Sequence, residues 1–273
     1  MNQRIVLVVG DKFSAYVLGK DAITYSNLRG LLSLSIPLLP ALGRTVLVPG
    51  QGLSDAAVEQ LLRDAAQSSN LSQFDFSLWR NLPTRASASL THKHCSENIL
   101  ISAPVRMNAE MFSTHLLIDE QCELMRDHQS GQHLQGMILI EAARQGMLAV
   151  VEQFFLPKND IDYAFVLNDM SVKYANFGFP VPATIECRIL EYSTDNPRRL
   201  LFSTEAAVHQ CGAQVASLTF AFSAMDKARI GKREASMAVK VQRAHLDAVD
   251  EQLGDRLVHA QDNSFHKVDR FRV

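Results

Sequence analysis

The run Gly136-Met137-Ile138-Leu139-Ile140-Glu141-Ala142-Ala143-Arg144-Gln145-Gly146-Met147-Leu148-Ala149-Val150-Val151-Glu152-Gln153-Phe154-Phe155 decides the fold. Its apolar residues fall on nearly every face of a helix, so a helix over 136–155 must be buried rather than ride on a surface. Glu141, Arg144, Gln145, Glu152 and Gln153 interrupt it, and that many polar groups argue against a membrane span. Strand-like runs follow at Tyr163–Ala175, Ala183–Tyr192, Leu200–His209 and Gln214–Ala224. They are separated by Pro180, Pro182, the Asp195-Asn196-Pro197 turn and Gly212. In the second run Ala183, Ile185, Cys187 and Ile189 alternate with Thr184, Glu186 and Arg188, the mark of a strand with one wet face.

One helix followed by an antiparallel meander is an α+β pattern. A sheet curled around the buried helix satisfies both signals, and that arrangement is the hotdog fold.

Upstream of the helix, Arg126-Asp127-His128-Gln129-Ser130-Gly131-Gln132-His133-Leu134-Gln135 places two histidines in a polar loop. Gly136 then permits close approach to the helix start, whose unpaired N–H groups and dipole suit a carbonyl or an oxyanion. Met137, Glu141, Arg144, Gln145 and Leu148 share roughly one helix face. A carboxylate and a guanidinium in such a helix are costly unless paired. Two readings stand: a structural Glu141–Arg144 ion pair at i, i+3, or a Glu141 that faces a histidine across a thioester site. In the second, burial tunes both groups toward acid–base work near neutral pH.

This segment resembles the signature of the A-factor biosynthesis hotdog family: Asp127-His128, Gln132-His133, Gly136-Met137 and Glu141-Ala142-Ala143-Arg144-Gln145, in that order. His92-Lys93 followed by Glu97-Asn98-Ile99-Leu100-Ile101 is similar to that family's opening segment, and the likeness covers about residues 90–225. A looser similarity reaches β-hydroxyacyl-carrier-protein dehydratases. The resemblance implies an acyltransferase that moves a β-ketoacyl group from acyl carrier protein, or from acyl-CoA, to a small phosphorylated alcohol such as dihydroxyacetone phosphate. The products lead to γ-butyrolactone or butenolide signals. It implies His128 or His133 as general base, Glu141 as orienting or relaying group and the Gly136 amide as polariser of the thioester carbonyl. Arg144 would bind phosphate, with Met137, Gln145, His92 and Lys93 lining the substrate site. No cofactor or metal is called for. Here one repeat stands where the family has two, so a homodimer with sites at the protomer interface is expected. Gln135 replaces the proline that commonly precedes the glycine. A dehydratase, a thioesterase or a non-catalytic thioester-binding module is the alternative reading of the same scaffold.

Residues 1–85 read as a small α/β Rossmann-like domain. Its strands are Ile5–Val9, Thr45–Val48 and Phe74–Phe76; a helix spans Asn27–Leu39, and another runs from a Ser54 cap to Gln67. Gly10, Gly50 and Gly52 invite a nucleotide-binding reading, but GxGxxG and the P-loop are absent, which favours a scaffold or docking role. Residues 80–97 read as a polar linker, 90–226 as the hotdog domain and 227–273 as a charged helical tail with weak apolar spacing. Trp79 is expected to anchor the two domains, His115 to be a core histidine, His209 to be structural and Phe177-Gly178-Phe179-Pro180 to be a turn. Lys173 is a wet-face lysine or a contact for a phosphopantetheine arm.

The 273 residues carry a formal charge of −2, with 47% apolar and 21% charged side chains. That balance points to neither nucleic acid nor a membrane surface as partner. Cys95, Cys122, Cys187 and Cys211 are too widely spaced for a zinc or redox pair, and the short run Ile5–Val9 is no signal peptide, so a cytoplasmic protein is expected.

Overall fold

Continuous apolar runs become strands covered on both faces. The computed structural model describes residues 4–35, 44–127 and 131–268, with side chains up to Leu253. In the first unit β1 (Ile5–Val9), α1 (Ser14–Val17), β2 (Ala22–Thr24), α2 (Tyr25–Leu32), β3 (Thr45–Pro49), α3 (Asp55–Gln67) and β4 (Phe74–Asp75) follow in chain order. The strands form a parallel sheet ordered β2-β1-β3-β4. Thr24 and Ser54 cap α2 and α3 through bonds from Asn27 N and Ala57 N. Val6, Val8, Leu28, Leu47, Leu61 and Phe74 fill the core.

Three expectations change here. The helix expected over Asn27–Leu39 stops at Leu32, because Ser68 Oγ takes the carbonyl of Leu32 and Asn70 Nδ2 takes those of Leu31 and Leu34. Residues 36–39 of that expectation lie outside the described residues. The three-residue β2 was not foreseen, being too short to show a period. Trp79 does not bridge the units: it sits in the first unit's own core and donates to Leu47 O at 2.9 Å.

The second unit runs α4 (Ala88–Thr91), β5 (Val105–Arg106), β6 (Met111–His115), α5 (Glu123–Arg126), α6 (Gly136–Phe154), β7 (Tyr163–Tyr174), β8 (Thr184–Ser193), β9 (Arg199–Gln210), β10 (Ala213–Asp226) and α7 (Lys227–Val268). Its antiparallel sheet has the order β5-β6-β8-β9-β10-β7. This is the hotdog arrangement. Ile138, Ala142, Ala143, Met147, Val150 and Val151 of α6 pack on the inward residues Ile185, Cys187, Ala206, Val208, Leu218 and Phe220. Gly146 lets helix and sheet meet, since a Cβ there would lie 3.1 Å from Cys187 Sγ. Burial pushes the Cys187 thiol up to about 12, so it packs as an inert small hydrophobe.

His115 is exposed rather than a core residue, because Phe112 and Thr114 take the inward positions of β6 and parity turns His115 outward. The stretch expected as a linker is ordered: Ala86 and Thr91 are buried, and Arg85 donates to the carbonyls of Ile99 and Leu117. α7 is exposed along its described side chains, save partly buried Ile230 and Val249.

The two units share a dense seam. Gln51 is buried and spans it, donating to Leu116 O at 2.9 Å and accepting from Ile118 N at 2.8 Å. Gly10 lies so close to Gly52 that a Cβ would come 2.4 Å from its carbonyl, and Gly52 has φ +89°. These glycines serve backbone contact at the seam. Val9 and Phe13 belong to the hotdog core.

Candidate active site

α6 begins without a side-chain cap: Gln135 holds the N-cap position and makes no capping bond. Its Oε1 is buried with no hydrogen-bond partner among the described residues. Gly136 opens the helix under Tyr174, whose hydroxyl lies 2.6 Å from where a Cβ would stand. No other residue fits that position without moving the tyrosine. Burial pushes the Tyr174 phenol up, so it is a protonated donor at neutral pH. Met137, next in the helix, is half exposed.

His133 is exposed just before this helix start, its ring tilted against Phe177 with centroids 5.1 Å apart. Leu134 N donates to Gly178 O at 2.7 Å, which ties the loop to the turn at 177–180. His128 lies outside the described residues.

A turn further in, Glu141 is the hub of a charged cluster. Arg144 grips it bidentately, Nε to Oε2 at 2.7 Å and Nη2 to Oε1 at 2.8 Å. Lys93 Nζ reaches Oε1 at 2.7 Å, and Gln145 Nε2 donates to it at 3.0 Å. Burial alone pushes the Glu141 carboxyl up, but the bonds from Arg144, Gln145 and Lys93 outweigh it and hold it at about 2. The same bond to Glu141 raises Arg144. This corrects the expectation that burial would tune Glu141 toward neutral pH: three donors keep it an anion at neutral pH. Two cations face one carboxylate, so the cluster carries net positive charge.

Gln145 also departs from its expected place. It is fully buried, and its amide is taken up by Asn98 O, Leu100 N and Glu141, so it braces the site from behind. His92, at φ 54°, bonds Glu152 Oε1 at 2.7 Å through Nε2 and sets its ring edge-on to Phe165. Beside Arg144 a small apolar cavity of about 70 Å³ is lined by Met147, Leu148, Phe165, Leu167 and Phe222.

The structure thus gathers Lys93, Glu141, Arg144 and Gln145 in one cluster. His133, Gly136 and Met137 sit together at the helix start. Sequence reasoning missed Tyr174 and the orphaned Gln135 oxygen. The period of the strand from Tyr163 was the available signal for Tyr174, but nothing local says that its end meets Gly136. A second apolar cleft, about 330 Å³, lies at the seam between Leu53, Val58, Leu82 and Leu117; none of the expected site residues lines it.

The family model of the A-factor biosynthesis hotdog domain matches residues 75–226. No curated protein matches the sequence. Among solved structures, the chain is similar to a dehydratase heterocomplex from Xenorhabdus doucetiae at 15% identity, covering 56% of this chain and 97% of that one with a TM-score of 0.41. A putative thioesterase from Shewanella oneidensis matches at 14% identity over 48% and 86% of the two chains, TM-score 0.35. A hypothetical thioesterase with coenzyme A from Streptococcus pneumoniae matches at 14% identity over 45% and 84%, TM-score 0.31.

Proposed function

Because the chain belongs to the A-factor biosynthesis hotdog family, we propose that it moves a β-ketoacyl group from a carrier-protein or CoA thioester to the hydroxyl of a small phosphorylated alcohol of the dihydroxyacetone phosphate type. The observation that carries this reading is the excess of cations at Glu141: Lys93 and Arg144 converge on one carboxylate. That leaves a positive locus suited to a phosphate, which plain hydrolysis or dehydration does not require.

About 12 Å of helix axis separates Gly136 from Arg144, and helical side chains lean back toward the N-terminus. A phosphate at Lys93 and Arg144 therefore leaves the acceptor's hydroxyl near the start of α6. His133 takes the proton of that hydroxyl as its oxygen attacks the thioester carbonyl. The negative charge that develops on the carbonyl oxygen is met by the free amides at Gly136 and Met137 and by the Tyr174 hydroxyl. The C–S bond then breaks, the ester forms, and the imidazolium returns the proton to the departing thiolate. Gln135 Oε1 is a ready acceptor for a donor on the pantetheine arm or on the alcohol. Glu141 acts by orienting the two cations and does not carry a proton.

A second copy of the chain completes the site in this reading. β7 is an edge strand, and Leu167 to Ser171 are exposed on both of its faces. Such a strand is a template for pairing with an identical strand.

The test is thiol release from β-ketoacyl carrier protein with and without dihydroxyacetone phosphate. Release that needs the acceptor supports the proposal. Release without it makes the protein a thioesterase, water loss from a β-hydroxyacyl substrate makes it a dehydratase, and binding without turnover makes it a non-catalytic module.

A further inference from the structure

Residues 10–20 of the first unit reach across the seam to the end of α5 and to the residue before His133. Lys12 Nζ donates to the main-chain carbonyls of Met125 and of Arg126, the latter at 3.1 Å, at the end of α5. Lys20 Nζ donates to Gln132 Oε1 at 3.1 Å, one residue before His133. Lys12 is itself pinned, since its backbone N–H donates to Glu120 Oε2 at 2.9 Å. Only glycine fits at position 10 beside that carboxylate, where a Cβ would stand 2.6 Å from Glu120 Oε2.

The opposite wall is gripped from the same unit. His133 leans on Phe177, and Leu134 is tied to Gly178. Two residues on, Gln51 N donates to Pro180 O at 3.0 Å, and a Cβ on Gly50 would come 2.6 Å from that same carbonyl. Tyr16 packs its ring on Phe179, with centroids 6.1 Å apart. Turns and loops of the first unit therefore touch both the residue before His133 and the turn on which its ring leans.

We propose that the first unit is a positioning platform for His133, with Lys12 and Lys20 as positioning residues that set the imidazole against the uncapped start of α6. The lysines touch neither reacting atom. Met125 O already accepts from the Asp127 N–H, and a carbonyl has a second lone pair, so an ammonium group is a natural tether at the end of this helical turn. The catalytic half of this inference rests on His133 being the base proposed above. The mechanical half, that the two lysines hold residues 131–136, stands apart from it.

The experiment uses the full chain with Lys12→Met, Lys20→Met, both together, and the arginine replacements. Amide hydrogen exchange at Leu134, whose N–H is bonded to Gly178 O, should quicken about tenfold or more in the double variant while β9 and β10 exchange as before. In the transfer assay kcat should fall about 10- to 100-fold with KM within about twofold, and arginine should restore most of it. If Lys12→Met fails to fold, Lys20→Met carries the test, since Lys20 is exposed and outside both cores. Unchanged exchange at Leu134 overturns the proposal, and so does faster exchange with unchanged kcat. If the unaltered protein transfers no acyl group, the proposed function falls, and exchange alone decides whether the lysines hold the segment.

Discussion

Glu141 in the candidate site and Glu120 at the seam are both withdrawn from water, yet they respond in opposite directions. Burial pushes each carboxyl up. At Glu120 the main-chain N–H of Lys12 offsets this only in part, and the group stays raised. At Glu141 a bidentate guanidinium, an ammonium and an amide reverse the sign and hold it at about 2. Burial thus decides the direction only where no cation is within hydrogen-bond reach of the carboxylate. The site keeps a fixed charge across the physiological range, whereas the seam holds a carboxylate that is easier to neutralise. Asp119, beside Glu120, is raised for the same reason, burial.

Breaking the stronger side of that contrast has the largest expected effect. Glu141→Ala strands Lys93 and Arg144 against each other and should cost about 3 kcal/mol or more in chemical denaturation, because removing one partner of a part-buried pair leaves uncompensated charge. A loss below about 1 kcal/mol would mean that solvent already screens the cluster.

The pH dependence sharpens the comparison. A carboxyl depressed by folding stabilises the native state above its ordinary value and loses that contribution as pH falls through the folded one. The window for Glu141 therefore runs from about 4.5 down to about 2. Glu141→Gln should flatten this part of the stability profile, and a variant with the same acid limb as the parent would contradict the assignment. Glu120 has the opposite sign: raised on folding, it favours the native state below its ordinary value and gives this up as pH rises through the raised one. Glu120→Gln keeps an acceptor for Lys12 N and should stabilise the neutral-pH protein by about 1 kcal/mol or less. Lowered thermal stability at pH 8 would show that the charge itself holds the seam. Lys93→Met is the mildest change, about 0.5–1 kcal/mol, with Arg144 still in place. Its sharper readout is the Glu141 carboxyl, which should titrate above its present position by carbon-detected NMR.

Much of the fold was legible because its signals are periodic. The apolar run at 136–155, the alternation in the strand from Ala183 and the Ser54 cap each have a local cause, and the helix, strand and cap appear within a residue or two of where that cause puts them. The Glu141–Arg144 pair was legible too, as an i, i+3 neighbour relation. What local reading did not reach was contact across the chain. Lys93 meets Glu141 over forty-eight positions, Tyr174 closes over Gly136, and Lys12 spans more than a hundred residues to Met125. The error on Trp79 has the same origin: an indole near a presumed linker looked like a bridge, yet Leu47 O lay within its own unit.

The sequence by itself determined that a helix here must be buried, that a meander must wrap it, and that a carboxylate and a guanidinium inside it need partners. These follow from hydrophobic period and desolvation cost, which act along the chain. Only the tertiary structure decided that Glu141 is an anion at neutral pH rather than a neutral-pH acid, and that Lys20 of the first unit reaches Gln132 beside His133. The sign of a buried carboxyl's shift depends on how many donors the rest of the chain brings within about 3 Å, and spacing along one helix does not contain that number.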